Sequence, residues 1–135
     1  MCKDDLCRIL ELVDLMLDAI KVIKGRTSHI TSGDDFLISA DNMFILDGVC
    51  MKLIFIGESV KTIDKMSGKE LLPLYPEIPW HEIMKLRDLI AHHYFRIDSD
   101  MIYMTIKYDL NPLSSTLQDI KYDLLASLAD YEKQK

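Results

Sequence analysis

Apolar residues recur every three or four positions along most of the chain, and this helical spacing constrains the fold more than any other feature. In the first segment one face carries Leu6, Ile9, Leu10, Val13, Leu17, Ile20 and Ile23. Asp4 is the expected N-cap of this helix, and Gly25 is its expected end. No stretch alternates convincingly as a strand does, and residues 101–108 come closest. The pattern therefore predicts an all-α fold.

A second, longer helix is expected from Ser39 or Asp41 to about Met66, with apolar residues nearly all round it. Such a helix is buried on more than one side, so it is central or shared with a second subunit. One narrow polar stripe interrupts the apolar surface and consists of Asp41, Gly48, Lys52 and Ser59. The stripe is either a close helix crossing at Gly48, or a cleft in which Lys52 is available to a phosphate.

The second half of the chain predicts shorter helices after a connector that contains three prolines, residues 68–79. The expected helices are Trp80 to about Arg96, Asp100 to Leu110, and Leu113 to Tyr131. Asn111 and Pro112 are expected to break or kink the helix there. Together the segments predict a bundle of about four to six helices. At 135 residues the chain has the length of a single domain, residues 1–135.

Charge and cysteine content exclude several classes of protein. There are 22 acidic and 16 basic residues, a net charge of −6, which excludes a basic coat for long nucleic acid but not a local basic cleft. Cys2, Cys7 and Cys50 form no Cys-x-x-Cys pair, which argues against a disulfide framework or a zinc site. With no signal peptide and no membrane-spanning stretch, the sequence predicts a cytoplasmic protein without a membrane partner.

Reactive side chains concentrate in one segment, residues 86–98, which contains Arg87, Asp88, His92, His93, Tyr94 and Arg96. An imidazole can take a proton from a ribose 2′-hydroxyl or give one to the leaving oxygen. A guanidinium stabilises the charge that builds on phosphorus. These groups can cleave RNA with no metal and no cofactor, and the need for a 2′-hydroxyl excludes DNA as substrate.

The spacing of these residues makes specific predictions. Asp88 and His92 are four apart, so the carboxylate is expected to hold the imidazole. Arg87 and Tyr94 are seven apart and are expected to share a face. Arg87 and His92 are about 140° apart around a helix, so they converge only if the helix end distorts, the arginine reaches over, or a second subunit completes the site. A surface histidine explains His92 equally well, and a core or interface histidine is the simpler explanation of His93.

The string Arg87, four residues, His92, one residue, Tyr94 resembles the signature of the HEPN superfamily, in particular the HepT-like toxins of HEPN–MNT toxin–antitoxin pairs. Pro-Trp upstream and Tyr-Phe downstream of it are also similar to that family. So are IGESVK at residues 56–61 and Asp-Leu-Asn-Pro at residues 109–112. The resemblance runs from about Ile9 to Ile120.

The resemblance implies a helical bundle that forms a homodimer, with the Arg–His helices facing a shared cleft. It implies a ribonuclease in which Arg87 and His92 are the catalytic pair and Asp88 supports them, although the family often has Asn at that position. Tyr94 matches the tyrosine that an MNT-type nucleotidyltransferase antitoxin adenylylates with ATP and magnesium. The alternative is a catalytically inactive HEPN module that partners a nucleotidyltransferase or binds nucleotide.

The acidic net charge requires the basic residues to concentrate near the cleft if RNA is bound. Lys52 and Lys85 are the expected contacts to RNA phosphates. Lys61 and Lys65 share a face with Glu58, and a solvated salt-bridged strip is the simplest interpretation of these three.

Overall fold

The computed structural model describes residues 1–134 and confirms an all-α bundle, with no strand among those residues. The helices are α1 (Lys3–Arg26), α2 (Ala40–Met66), α3 (Trp80–His92), α4 (Ser99–Met104) and α5 (Leu110–Lys133). Short 3₁₀ turns occupy Asp34–Leu37, Leu72–Leu74 and Tyr94–Arg96, and a π turn occupies Thr105–Asp109.

Helix α2 is the central element, as its apolar surface predicts. It packs against α1 on one side and α3 on another, and α1 in turn packs against α5. Its buried apolar side chains are Leu46, Val49, Cys50, Leu53, Ile56, Val60 and Ile63. Each large aliphatic side chain buried in this way stabilises the fold by about 1.5–3 kcal/mol relative to its exposed state. The helix starts where the sequence predicts, because the hydroxyl of Ser39 accepts a hydrogen bond from the Asn42 amide at 3.0 Å.

The predicted ends of α1 are wrong. The helix begins at Lys3 with Cys2 as N-cap and no side-chain cap, while Asp4 lies within the first turn. There its charge complements the helix dipole instead of capping the helix. Gly25 does not end the helix, which continues to Arg26. The hydroxyl and the amide of Thr27 both donate to the Ile23 carbonyl and close the last turn.

Asn111 and Pro112 were predicted to break or kink the helix, and of these the break is wrong. Residues 99–133 run without interruption through α4, the π turn and α5. Pro112 is the third residue of α5, in the first turn. The helical stretch is continuous, but Pro112 has no N–H to donate to the preceding turn, and the π turn lies directly before α5, where that hydrogen bond is missing.

Helix α3 ends earlier than its apolar spacing predicts, at His92 rather than near Arg96. A 3₁₀ turn follows, and a new helix starts directly after Asp98. The Asp98 carboxylate accepts hydrogen bonds from the amides of Asp100 at 3.0 Å and Met101 at 3.3 Å, and Asp98 is therefore the N-cap of α4. Within residues 1–134, no helix is both long enough and apolar enough to span a bilayer.

Candidate active site

Helices α2 and α3 cross in close contact at Gly57. A Cβ atom on Gly57 would lie 2.3 Å from the Cβ of Arg87 and 3.2 Å from the carbonyl oxygen of Ile83. Only glycine fits such an approach. The close crossing is therefore at Gly57 and not at Gly48, where an added Cβ would meet no heavy atom of another element within 4 Å.

The crossing holds the guanidinium of Arg87 against the side of α2. The Arg87 Nε lies 2.5 Å from Oε1 of Glu58. That Nε is buried and has no hydrogen-bond partner among the described residues, so the contact is an ion pair only. The Nη1 atom donates to Oδ1 of Asp88 at 3.2 Å. With 27% of its side chain exposed, Arg87 is fixed between two carboxylates at the edge of solvent.

Asp88 is held by Lys61 and not by His92, so the expected Asp88–His92 pair is wrong. The Lys61 ammonium donates to Oδ1 of Asp88 at 2.7 Å, from the facing side of α2. This hydrogen bond is the main reason why the pKa of Asp88 lies below its usual value, and Arg87 lowers it further. Lys61 can bind this carboxylate because α2 and α3 approach closely near Gly57.

His92 lies at the last turn of α3 and is exposed. It lines an open cleft of about 540 Å³ between α3 and the α4–π segment. The cleft is also lined by Lys85, Asp88, His93 and Asp109, but not by Arg87. Asp88 therefore lies between the two predicted catalytic residues, because it contacts Arg87 and lines the same cleft as His92.

The two remaining candidates on α3 are both in the His92 cleft. Lys85 is exposed and lies 3.5 Å from Glu82, so its ammonium faces the solvent beside the cleft. His93 is the C-cap residue of α3 and is exposed, so it is not a core histidine of this chain. Because the helix ends at His92, His93 does not continue the helical spacing of the apolar residues of α3.

Tyr94 does not share a helical face with Arg87, because α3 ends two residues before it. The Asp47 carboxylate of α2 acts on the phenol as hydrogen-bond partner and as charge, and both raise the pKa of Tyr94. Asp47 precedes Glu58 by eleven residues, which is about 16 Å along the helix axis. The Tyr94 side chain is 48% exposed, and its ring meets that of Phe95 edge to face at 6.2 Å between centroids.

The structure does not bring Lys52 together with the other candidates. Lys52 lines a groove between α1 and α2 with Arg26, Phe44 and Gly48, and no α3 residue lines that groove. The polar stripe of α2 is also divided, since Gly48 is exposed and Ser59 is buried. Lys52 and His92 therefore line different surface grooves.

Three residues of the arrangement were missed as site residues: Gly57, Glu58 and Lys61. Helical spacing assigned Glu58 and Lys61 to a solvated strip, but they hold Arg87 and Asp88 from the facing helix. The string IGESVK contains all three and was the available signal. Among residues 1–134, no group of three or more His, Cys, Asp or Glu side chains is placed to hold a metal ion.

The chain matches known proteins over most of its length. The sequence model of the HepT-like ribonuclease family matches residues 16–120. A Thermococcus cleftensis protein named "Probable ribonuclease HepT" is 32% identical over 104 residues, which cover 77% of this chain and 87% of that protein. A candidate RNase of Caldanaerobacter subterraneus is 32% identical, over 75% of this chain and 96% of its own length.

A third relative is longer than this chain. It is a Methanocaldococcus jannaschii protein named as a gamma-glutamylcyclotransferase and candidate RNase, 29% identical over 81% of this chain but only 46% of its own length. No solved structure shows a significant match to the chain. The matched region contains the Gly57 crossing, Arg87, Asp88, His92 and Tyr94, and on these grounds the chain belongs to the HepT-like ribonuclease family.

Proposed function

We propose that the protein is a metal-independent endoribonuclease, acting in the cytoplasm as the toxin of a HEPN–MNT toxin–antitoxin pair. The observation that carries this proposal is the arrangement around Asp88. That carboxylate holds the guanidinium of Arg87 in place and lines the cleft into which the exposed His92 opens.

The chemistry needs only an imidazole and a guanidinium. His92 takes the proton from a ribose 2′-hydroxyl, and the 2′-oxygen attacks the neighbouring phosphorus. Arg87 stabilises the negative charge on the phosphoryl oxygens. The bond to the 5′-oxygen breaks, that oxygen takes up a proton, and a 2′,3′-cyclic phosphate remains. We expect Lys85, which is exposed and lines the cleft, to contact a neighbouring phosphate.

The proposed reaction needs a homodimer, because Arg87 and His92 point to different sides of α3 within one copy. A second copy would bring the two side chains to the same phosphate. Arg87 faces α2, whereas His92 faces the α4–π segment. An apolar ridge on α2 remains uncovered, with Phe44 79% exposed and Met51 67% exposed. Phe95 is 99% exposed after α3. Exposed apolar side chains of this size are typical of an interface.

The proposed silencing step is adenylylation of Tyr94 by a nucleotidyltransferase. The phenol oxygen would attack the α-phosphorus of ATP, and pyrophosphate would leave. Its half-exposed side chain makes Tyr94 accessible to another protein. The added nucleotide brings bulk and a negative charge, which repels an RNA phosphate.

The first experiment tests catalysis with purified protein and a labelled RNA, in the presence of EDTA. We expect His92→Ala and Arg87→Ala to lower the cleavage rate by about 10²-fold or more, a loss typical of a general base or an electrostatic group. His81→Ala is the matched control, because His81 is an exposed histidine at the other end of α3. Equal cleavage by the wild type and His92→Ala would refute the proposal.

The second experiment asks whether two copies build one site. If Arg87 of one copy acts with His92 of the other, mixing the two inactive variants restores part of the activity. If both residues act within one copy, the mixture stays inactive. Sedimentation showing only monomers at micromolar concentration would contradict the homodimer.

The third experiment tests the antitoxin by co-expression with an MNT-type nucleotidyltransferase and measurement of intact mass. We expect a gain of one adenylyl group that is absent in Tyr94→Phe. Tyr108→Phe is the control, since Tyr108 is similarly exposed but lies in the π turn. Modification that persists in Tyr94→Phe would reject Tyr94 as the target.

One observation favours the alternative, an inactive HEPN module that binds nucleotide or a nucleotidyltransferase. The guanidinium of Arg87 is already engaged by Glu58 and Asp88, so an RNA phosphate has to compete with two carboxylates. Under this alternative the protein does not cut RNA, and His92→Ala changes neither cell growth nor RNA decay.

A further inference from the structure

A separate cavity of about 290 Å³ lies behind the His92 cleft, between α2, α3 and the start of α5. Its wall is mostly apolar, with the side chains of Leu53, Ile56, Ile78, Ile83, Leu86 and Leu113. The volume is near the lower limit for small-molecule sites, so it suits a single ring system and not a whole nucleotide chain.

The cavity adjoins the cleft directly. Glu82, Leu86, Thr105 and Asp109 line both spaces. Thr105 and Asp109 are the first and last residues of the π turn, an element that often occurs at functional sites. A group attached to an RNA chain in the His92 cleft could therefore enter the cavity next to it.

The polar side chains that line the cavity are mostly hydrogen-bond acceptors. Its charged groups are the carboxylates of Glu77, Glu82 and Asp109. The hydroxyl of Thr105 already donates to the Met101 carbonyl at 3.0 Å. Asp109 is exposed where the cavity meets the cleft, and within residues 1–134 its carboxylate has no hydrogen-bond or ion-pair partner. The protein around it removes enough water to raise its pKa. A carboxylate without a partner beside an apolar wall is free to accept hydrogen bonds from a ligand in the cavity.

We propose that this cavity binds a nucleobase of the RNA beside the scissile bond, and that Asp109 selects guanine. Guanine presents two N–H donors side by side on its Watson–Crick edge, which match the two oxygens of one carboxylate. Uracil presents one donor between two carbonyl oxygens, which a carboxylate repels. Single-stranded RNA is commonly read on such edges, with the base held against apolar side chains. This subsite rests on the proposed ribonuclease function, which supplies the RNA.

The test uses guanosine and uridine as probes, because a nucleoside has no phosphate and binding needs no cleavage. Methyl resonances of the full chain are followed by NMR during titration. We expect saturable shifts at Ile83 and Leu113 with guanosine, and binding about tenfold weaker or more with uridine. Asp109→Asn should remove this preference, because an amide can both donate and accept. Asp130→Asn on the exposed face of α5 is the charge-matched control.

A second variant guards against a folding defect. Ile83→Phe places extra volume in the cavity and leaves every carboxylate in place, so it should block guanosine while the thermal transition is kept. In the cleavage assay, Asp109→Asn should lose any preference for cutting next to guanosine.

The proposal is overturned if guanosine causes no saturable shift, if uridine binds equally well, or if the shifts lie outside the cavity. These results are independent of catalysis. If His92→Ala cuts RNA as fast as the wild type, the ribonuclease proposal fails while the nucleoside titration still decides the subsite. If cleavage depends on His92 but guanosine does not bind, only the subsite fails.

Discussion

Replacing Gly57 by alanine tests whether the close crossing of α2 and α3 positions the site. The new methyl group would lie 2.3 Å from the Cβ of Arg87, far inside ordinary contact distance. It would also lie 3.2 Å from the backbone oxygen of Ile83. Because neither atom is the end of a flexible side chain, the two helices have to move apart.

Two opposing effects determine how much the free energy of unfolding falls in Gly57→Ala. Overpacking of a tight contact costs about 1–3 kcal/mol, and backbone involvement places this case at the upper end. Alanine is favoured over glycine inside a helix by about 1 kcal/mol. The free energy of unfolding should therefore fall by about 2 kcal/mol, which lowers Tm by roughly 6–10 °C for a domain of this size. Separation also weakens the Glu58–Arg87 and Lys61–Asp88 contacts, so RNA cleavage should fall as well.

Thermal and guanidinium unfolding followed by circular dichroism measure the change. Gly25→Ala is the control, because Gly25 lies near the end of α1 with no heavy atom within 4 Å of the added Cβ. We expect that variant to be as stable as the wild type or slightly more stable. If Gly57→Ala also unfolds at or above the wild-type temperature, α2 and α3 do not meet as described.

Two further predictions concern single titratable groups. Lys61 and then Arg87 lower the pKa of Asp88 in the folded protein. The stability that this carboxylate adds is therefore complete at a pH above its unfolded-state pKa of about 3.9, and it is lost as the pH falls through the lower pKa of the folded protein. The difference in unfolding free energy between the wild type and Asp88→Asn should therefore be constant near neutrality and shrink below about pH 4; a difference that grows in acid would contradict the Lys61–Asp88 contact. Burial, and then the charge of Asp47, raises the pKa of the Cys50 thiol to about 11, so a thiol reagent at pH 8 should label the two exposed cysteines quickly and Cys50 only after unfolding. Three equally fast thiols would mean that Cys50 is not buried.

The helices and the central role of α2 were predictable from the sequence, because burial of an apolar face requires a spacing that the sequence displays directly. The capping residue Ser39 was predictable for a similar reason, since the hydrogen bond it makes is local. Helix ends that depend on their surroundings were not. The π turn that precedes Pro112 and the end of α3 at His92 both depart from simple helical spacing.

The residue types of the candidate site were also visible in the sequence, because Arg87, Asp88, His92 and Tyr94 lie within eight positions. Their partners were not. Spacing along one helix determines which side chains share a face, but it contains no information on which helix lies opposite. Only the approach of α2 at Gly57 decides that Lys61 binds Asp88, and so leaves His92 to its own cleft.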